Sequence, residues 1–119
     1  GRDRMPTVVT QYPVQDGQPV LIDVLIGDLQ AGGTSIFLGT AEIKTQTGDI
    51  VDFEIGRGEQ VRGRTMVVST VVLDRNPMTD FTSAVVVLDG GTHPHIDIPQ
   101  SDNPGPGGRS GFITVVNFV

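Results

Sequence analysis

Glycine and proline interrupt this chain so often that a helix of ordinary length has no room to form. The 119 residues include 16 glycines and 8 prolines, and the interior of a helix tolerates neither residue well. Between these breaks lie short runs rich in valine, a β-branched residue that favours the pleated sheet. The pattern therefore predicts many short strands joined by tight turns.

Alternation of apolar and polar residues is clearest in Ile50–Ile55. The spacing puts the apolar side chains on one face and the carboxylates on the other, which is typical of a half-buried strand. Val51, Phe53 and Ile55 are the predicted inner residues, and Asp52 and Glu54 are the predicted outer ones.

Two longer segments, Thr65–Leu73 and Phe81–Leu88, are almost wholly apolar or β-branched. We expect both to lie in the interior of a sheet with both of their faces buried. In Phe112–Val119, alternate residues from Phe112 to Phe118 are predicted to share a buried face. The remaining predicted strands are Thr7–Tyr12, Val20–Ile26, Ser35–Leu38, Ala41–Thr45 and His95–Ile98.

About eight or nine strands with frequent turns predict an all-β protein, and we expect an antiparallel β-sandwich. Greek-key connections are expected, in an immunoglobulin-like or C2-like outline. No internal repeat is visible. Residues 5–119 are assigned to this single domain, whereas residues 1–4 are interpreted as a remnant of an expression vector. If Met5 is the natural start, the protein is expected in the cytoplasm. Pro99–Gly111 is predicted to be a mobile loop.

Charge limits the kinds of partner. The net charge is −6, with 14 acidic and 8 basic residues, and the arginines form no basic stripe. Phosphate backbones and anionic membranes need such a stripe, so we expect neither a nucleic acid nor a membrane as partner. The absence of cysteine excludes disulfides and thiolate metal sites. A partner protein or a second copy of the chain remains.

His93, His95 and Asp97 could form a transition-metal site. Their spacing places them on one face of an extended strand, and two imidazoles with a carboxylate suit Zn²⁺ or Fe²⁺. The His-x-His spacing after glycines resembles the first motif of the cupin metalloenzymes, which implies a third histidine on a distant strand. This chain has only two histidines. The alternative interpretation is an edge strand that contains Pro94 and whose polar face meets water.

Asp74, Asn76 and Asp80 lie in one segment between the two longest apolar strands. Oxygen ligands clustered at the loop end of a sandwich are suited to Ca²⁺, and Asp97 or Asp102 could join them. The alternative is that Asp74 and Asn76 cap turns through the backbone while Pro77 fixes the next bend.

No motif for catalysis emerges from the chain. The Gly-x-Ser-x-Gly elbow of serine hydrolases is missing, so we expect no enzyme and no cofactor. The sequence favours a non-catalytic protein-interaction or structural module that self-associates through strand edges or sheet faces. The alternatives are a calcium-dependent binding module using Asp74–Asp80 and a metal-dependent enzyme using His93 and His95.

Overall fold

A computed structural model describes residues 6–93 and 95–119 of the protein. Two predictions lie partly outside these residues: the vector remnant with the natural start at Met5, and the inclusion of Pro94 in the edge strand. The described chain contains nine strands and one short helix. In chain order they are β1 (Thr7–Tyr12), β2 (Pro19–Ile26), β3 (Ala31–Leu38), β4 (Ala41–Thr47), β5 (Ile50–Arg57), α1 (Gly58–Val61), β6 (Thr65–Leu73), β7 (Thr82–Asp89), β8 (His95–Asp102) and β9 (Arg109–Phe118).

The strands form two packed sheets, as the sequence predicts for a β-sandwich. The five-stranded sheet has the order β1-β9-β6-β3-β4, and the four-stranded sheet has the order β5-β2-β7-β8. Among the described strands, β1 and β9 form the one parallel pair, and all other neighbours are antiparallel. The interior positions predicted for β6 and β7 are confirmed.

The pairing also reveals a repeat of topology that the sequence does not show. In the segment β2–β5, the outer strands pair in the four-stranded sheet while β3 and β4 pair in the five-stranded sheet. In the segment β6–β9, the outer strands pair in the five-stranded sheet while β7 and β8 pair in the four-stranded sheet. The two segments therefore have the same connectivity with the sheets exchanged, and β1 is added at one edge.

The core lies between the sheets and consists mainly of aliphatic side chains from alternate strand positions. In β9 the predicted inner residues Phe112, Thr114, Val116 and Phe118 are all buried. Tyr12 is fully buried at the end of β1, and its ring meets that of Phe118 edge to face, with centroids 6.4 Å apart. The aromatic pair closes one end of the core.

Two details of the predicted strands are wrong. A bulge in β5 at Asp52, whose φ is +53°, turns Val51 outward, so that of the three predicted inner residues only Phe53 and Ile55 pack on the core. The carboxylate of Asp23 stabilises this bulge by accepting a hydrogen bond from the Asp52 N–H at 2.6 Å. The predicted loop at 99–111 is shorter, because β8 continues to Asp102 and β9 begins at Arg109.

Tyr12 provides a test of this packing because it is the only tyrosine in the chain. Burial raises the pKa of its phenol; the Asp89 charge adds to the rise, and a hydrogen bond from the Gly91 N–H opposes it. The folded protein therefore keeps this proton to a higher pH than the unfolded chain. We expect the contribution of Tyr12 to the free energy of unfolding to be level up to pH about 10 and to fall above it.

Tyrosinate absorbance measures this ionisation directly during a pH titration. The folded protein should titrate at higher pH than the same chain unfolded in urea. Coincident titration curves would show that the phenol is not buried as described.

Candidate functional site: the outer face of the five-stranded sheet

The outer face of the five-stranded sheet is built by the outward residues of β1, β9, β6 and β3. An apolar row crosses these strands because Val9 pairs with Val115, Val115 with Val67, and Val67 with Phe37. Val9 is 64% exposed, and the other three side chains are half-buried. A single exposed valine needs no explanation, but a continuous row across a sheet marks a candidate contact surface.

More apolar and neutral residues extend this row along the strands. Val71 on the central strand β6 is 43% exposed, and Ile113 and Leu73 are half-buried beside it. The prediction that both faces of β6 are buried is therefore wrong for a single copy of the protein. The same β-branched composition instead produces an apolar outer surface.

Among the residues that the structure describes, charge is nearly absent from this surface. Its polar residues are hydroxyl and amide side chains, several of which bond to one another: Ser35 with Thr45 at 3.1 Å, and Thr65 with Asn117 at 2.8 Å. The described charged side chains lie at the margins, with Arg109 at the start of β9 and Glu42 on the edge strand β4. We call the outward residues of β1, β9, β6 and β3 between these margins the neutral face.

The outer face of the four-stranded sheet has a different character. Four carboxylates lie on it, in two rows of paired residues that cross the strands, one through Leu21 and one through Val87. These are Asp23, Glu54, Asp89 and Asp97. We call this outer surface of the four-stranded sheet the acidic face. Much of the net charge of −6 is thus displayed away from the neutral face, and two copies meeting through the acidic face would repel one another.

His95 lies on the acidic face with a carboxylate beside each ring nitrogen. Its Nδ1 is 3.4 Å from the Asp89 carboxylate, and its Nε2 is 2.9 Å from that of Asp97. All three side chains are exposed or half-buried on the edge strand β8 and its neighbour β7. His93 lies before β8, and its carbonyl oxygen accepts a hydrogen bond from the Tyr12 hydroxyl. This placement matches the predicted edge strand with a wet polar face.

The Asp74–Asp80 segment joins β6 to β7 and is organised from outside by Gln30, in the loop between β2 and β3. The Gln30 Oε1 accepts hydrogen bonds from the N–H groups of Arg75 and Asn76, at 2.6 and 2.7 Å. Its Nε2 lies 3.0 Å from the Asp74 carboxylate and donates to the carbonyls of Thr79 and Phe81. The sequence gives no signal for this contact, because the residues are about 45 positions apart.

The predicted calcium ligands are engaged within the protein. Asp74, 8% exposed, accepts hydrogen bonds from Gln30 and from the Gly107 N–H. Asn76 caps its own turn by accepting a bond from the Met78 N–H, as the alternative interpretation predicts. Partial removal from water raises the pKa of Asp80, and the hydrogen bond and charge of Asp74 add to that rise.

The geometry of the described residues gives no support to metal binding. Within residues 6–93 and 95–119, no three histidine or acidic side chains converge so that they could hold a metal ion. Asp102, considered a possible calcium ligand, instead accepts a hydrogen bond from Ser110 at 2.9 Å. Ser110 and Asp102 lie at the end of the sandwich opposite His93. The calcium and transition-metal hypotheses stay predictions that metal titration can test.

The chain matches no protein-family model, no curated protein and no solved structure at a significant level. In the part of the chain that the structure describes, no helix has the length and apolarity needed to cross a membrane. The surfaces described above are therefore the basis for an argument about function.

Proposed function

We propose that this protein is a non-catalytic interaction module that self-associates through the neutral face. The observation that supports the proposal is the apolar row Val9–Val115–Val67–Phe37, which crosses four adjacent strands without a charge. Because the partner is a second copy, the same face meets itself across a twofold axis. Contact between the two copies then requires no pattern of complementary charges, which suits a neutral surface.

The size of the face is just sufficient for such a dimer. Its four strands, about 4.8 Å apart and with about eight residues each rising 3.3 Å, cover roughly 500 Å². Two such faces bury roughly 1,000 Å² together, which is about the smallest area expected of a specific interface. Face-to-face packing of sheets is the arrangement that already holds the sandwich together, with side chains filling a gap of about 10 Å.

Strand edges support self-association less well. The edge strand β4 carries Glu42 and Lys44, β8 contains Pro99, and β5 is interrupted by bulges. Charges, prolines and bulges are features that discourage edge pairing. The edge strand β1 has none of them, but its Val9 belongs to the neutral face.

We further propose that the connections are of the Greek-key type, with the repeated β2–β5 and β6–β9 segments as its units. The pairing of the first strand of each segment with the fourth supports this proposal. The parallel addition of β1 to β9 is compatible with the immunoglobulin-like outline expected from the sequence.

A charge on the central strand of the neutral face tests the proposed dimer. The variant Val67→Glu should abolish it, because each interface would then bury two unpaired carboxylates. We expect wild-type protein to sediment at twice the mass of the chain, and the variant to dissociate at least about a hundredfold more readily.

The matched control is Val85→Glu, which places the same charge at an outward, half-buried position of the interior strand β7. This variant should remain dimeric. A monomeric wild-type protein at high concentration, or dissociation of the Val85 variant alone, would refute self-association through the neutral face.

A further inference from the structure

Four connecting loops lie together at one end of the sandwich, opposite the end that holds Tyr12 and α1. They are the loops 27–30, 48–49, 74–81 and 103–108, each of which passes from one sheet to the other. We call these loops the loop end. It is separate from the neutral face, so an inference about it does not depend on self-association.

Large apolar side chains are exposed on two adjacent loops of the loop end. Leu29 is 91% exposed, Met78 is 88% exposed and Phe81 is 54% exposed. Hydrogen bonds hold these two loops together: Gln30 bonds to the Phe81 carbonyl, and Asn76 bonds to the Asp28 carbonyl. The apolar side chains are thus presented on a preorganised support, which reduces the entropy cost of binding.

The conformation of Leu29 is unfavourable for the isolated protein. Asp28 and Leu29 both have positive φ, +57° and +55°, in a turn closed by the Gln30 N–H and the Gly27 carbonyl. Glycine or asparagine fits this left-handed conformation better than leucine. Because Leu29 is almost fully exposed, its side chain offers the fold little packing in return. Strain of this kind at an exposed position points to binding.

An open pocket of about 480 Å³ lies beside Leu29. Ile26, Ala31 and Gly32 contribute its apolar lining, and Thr47 and Asp49 border it. A Cβ at position 32 would overlap the carbonyl oxygen of Val71, so glycine allows β3 to approach β6 this closely beside the pocket. The volume is within the range of ligand pockets and is large enough for one large apolar side chain.

Acidic residues surround this apolar surface. Among the described residues, the loop end and its flanking strand termini contain five aspartates and two arginines: Asp28, Asp49, Asp74, Asp80 and Asp102, with Arg75 and Arg109. The excess of carboxylates favours a ligand with positive charge next to its apolar group and disfavours an anionic one.

We infer that the loop end binds a segment of a partner protein in which a large apolar side chain is flanked by lysine or arginine. The apolar side chain of the partner enters the pocket beside Leu29, while Leu29 and Met78 pack against the partner residues next to it. The basic neighbours face the aspartates of the loop end. The support is rigid before binding, so the partner segment is the component that becomes ordered.

A phage-displayed library of random dodecapeptides, selected on the wild-type protein, tests this inference. We expect enriched peptides to combine a large apolar residue with lysine or arginine, and to bind more weakly as salt increases. Leu29→Asn should weaken their binding about tenfold or more. Because asparagine suits the turn, the same variant should melt no lower than wild type, which separates lost binding from lost folding.

Val119→Ser is the matched control, since Val119 is 47% exposed at the opposite end of the sandwich. Its peptide binding should equal that of wild type. The inference is overturned if no peptide is enriched, if enriched peptides are acidic, or if they bind the Leu29 variant as well as wild type. None of these outcomes bears on dimerisation, which is measured without peptide.

Discussion

Replacing Gly91 with alanine should destabilise the protein by about 3 kcal/mol or more, because it combines overpacking with a lost buried hydrogen bond. A Cβ at this position would lie 2.6 Å from the ring Cζ of Tyr12 and would overlap the Pro13 carbonyl oxygen. Relief of this overlap requires the Tyr12 ring to move. That movement would break the bond from the Gly91 N–H to the phenol oxygen, now 2.8 Å long.

Equilibrium unfolding in urea measures this loss. Gly33→Ala is a suitable control, because its added Cβ would lie no closer than 3.3 Å to any neighbour, the Gln46 carbonyl on the edge strand β4. The control should lose much less stability. If Gly91→Ala unfolds at the same urea concentration as the control, the Tyr12 packing described here is incorrect.

Replacing Gln30 with glutamate should be nearly as damaging, at about 2–4 kcal/mol, and its effect should be concentrated at the loop end. The substitution preserves an acceptor for the N–H groups of Arg75 and Asn76. It removes the Nε2 that donates to the carbonyls of Thr79 and Phe81. It also places a negative charge 3.0 Å from the Asp74 carboxylate, so lost donors and like-charge repulsion act together.

Hydrogen exchange distinguishes this local effect from general unfolding. The amides of the 74–81 loop should exchange faster in the Gln30 variant, whereas those of the central strands should change only as global stability changes. Gln18→Glu provides the control, because Gln18 is exposed at the other end of the sandwich. Unchanged exchange in the 74–81 loop would contradict the role given to Gln30.

Local patterns in the sequence predict most strands. Thr7–Tyr12 and Thr65–Leu73 form strands with the predicted bounds, because turn residues end each run and β-branched residues fill it. The failures have local causes that alternation does not encode. The Asp52 bulge depends on Asp23 in another strand, and β8 passes through Pro99 because it is an edge strand, where proline is tolerated.

The arrangement of the strands depends on pairings between distant segments. Neither the pairing of β6 with β9 nor the parallel addition of β1 has a signature in any single segment. The repeat of topology between β2–β5 and β6–β9 likewise has no visible counterpart as a repeat in the sequence.

The candidate surfaces were only partly predictable for the same reason. A β-branched run such as Thr65–Leu73 indicates two apolar faces, but not whether a second layer covers both of them. In the structure the face that includes Val67 and Val71 lacks a second layer from the described chain. Gln30 is one polar residue among many in the sequence, and only the fold brings it to the 74–81 loop.

Self-association would also change how the loop end works. A dimer formed through the neutral face carries two loop ends, so a partner with repeated binding segments could engage both of them. Binding of the second segment then becomes intramolecular, and the combined affinity exceeds that of either site when the linker spans both. The two proposals are independent in their tests but compatible in one molecule.

Cross-linking at Ser69 tests the dimer interface most directly. Ser69 lies at the middle of the central strand β6, on the neutral face, and the chain has no cysteine of its own. A twofold axis through the centre of this face brings Ser69 of one copy close to Ser69 of the other. We expect Ser69→Cys to be joined efficiently by a bismaleimide with a spacer of about 10 Å, the distance between face-packed sheets.

The control Ser101→Cys, exposed on the acidic face, should remain uncross-linked under the same conditions. Preferential cross-linking at position 69 is the result that the proposed dimer predicts. Equal cross-linking at both positions, or none at position 69 as expected for pairing through the β1 edge, would contradict self-association through the neutral face.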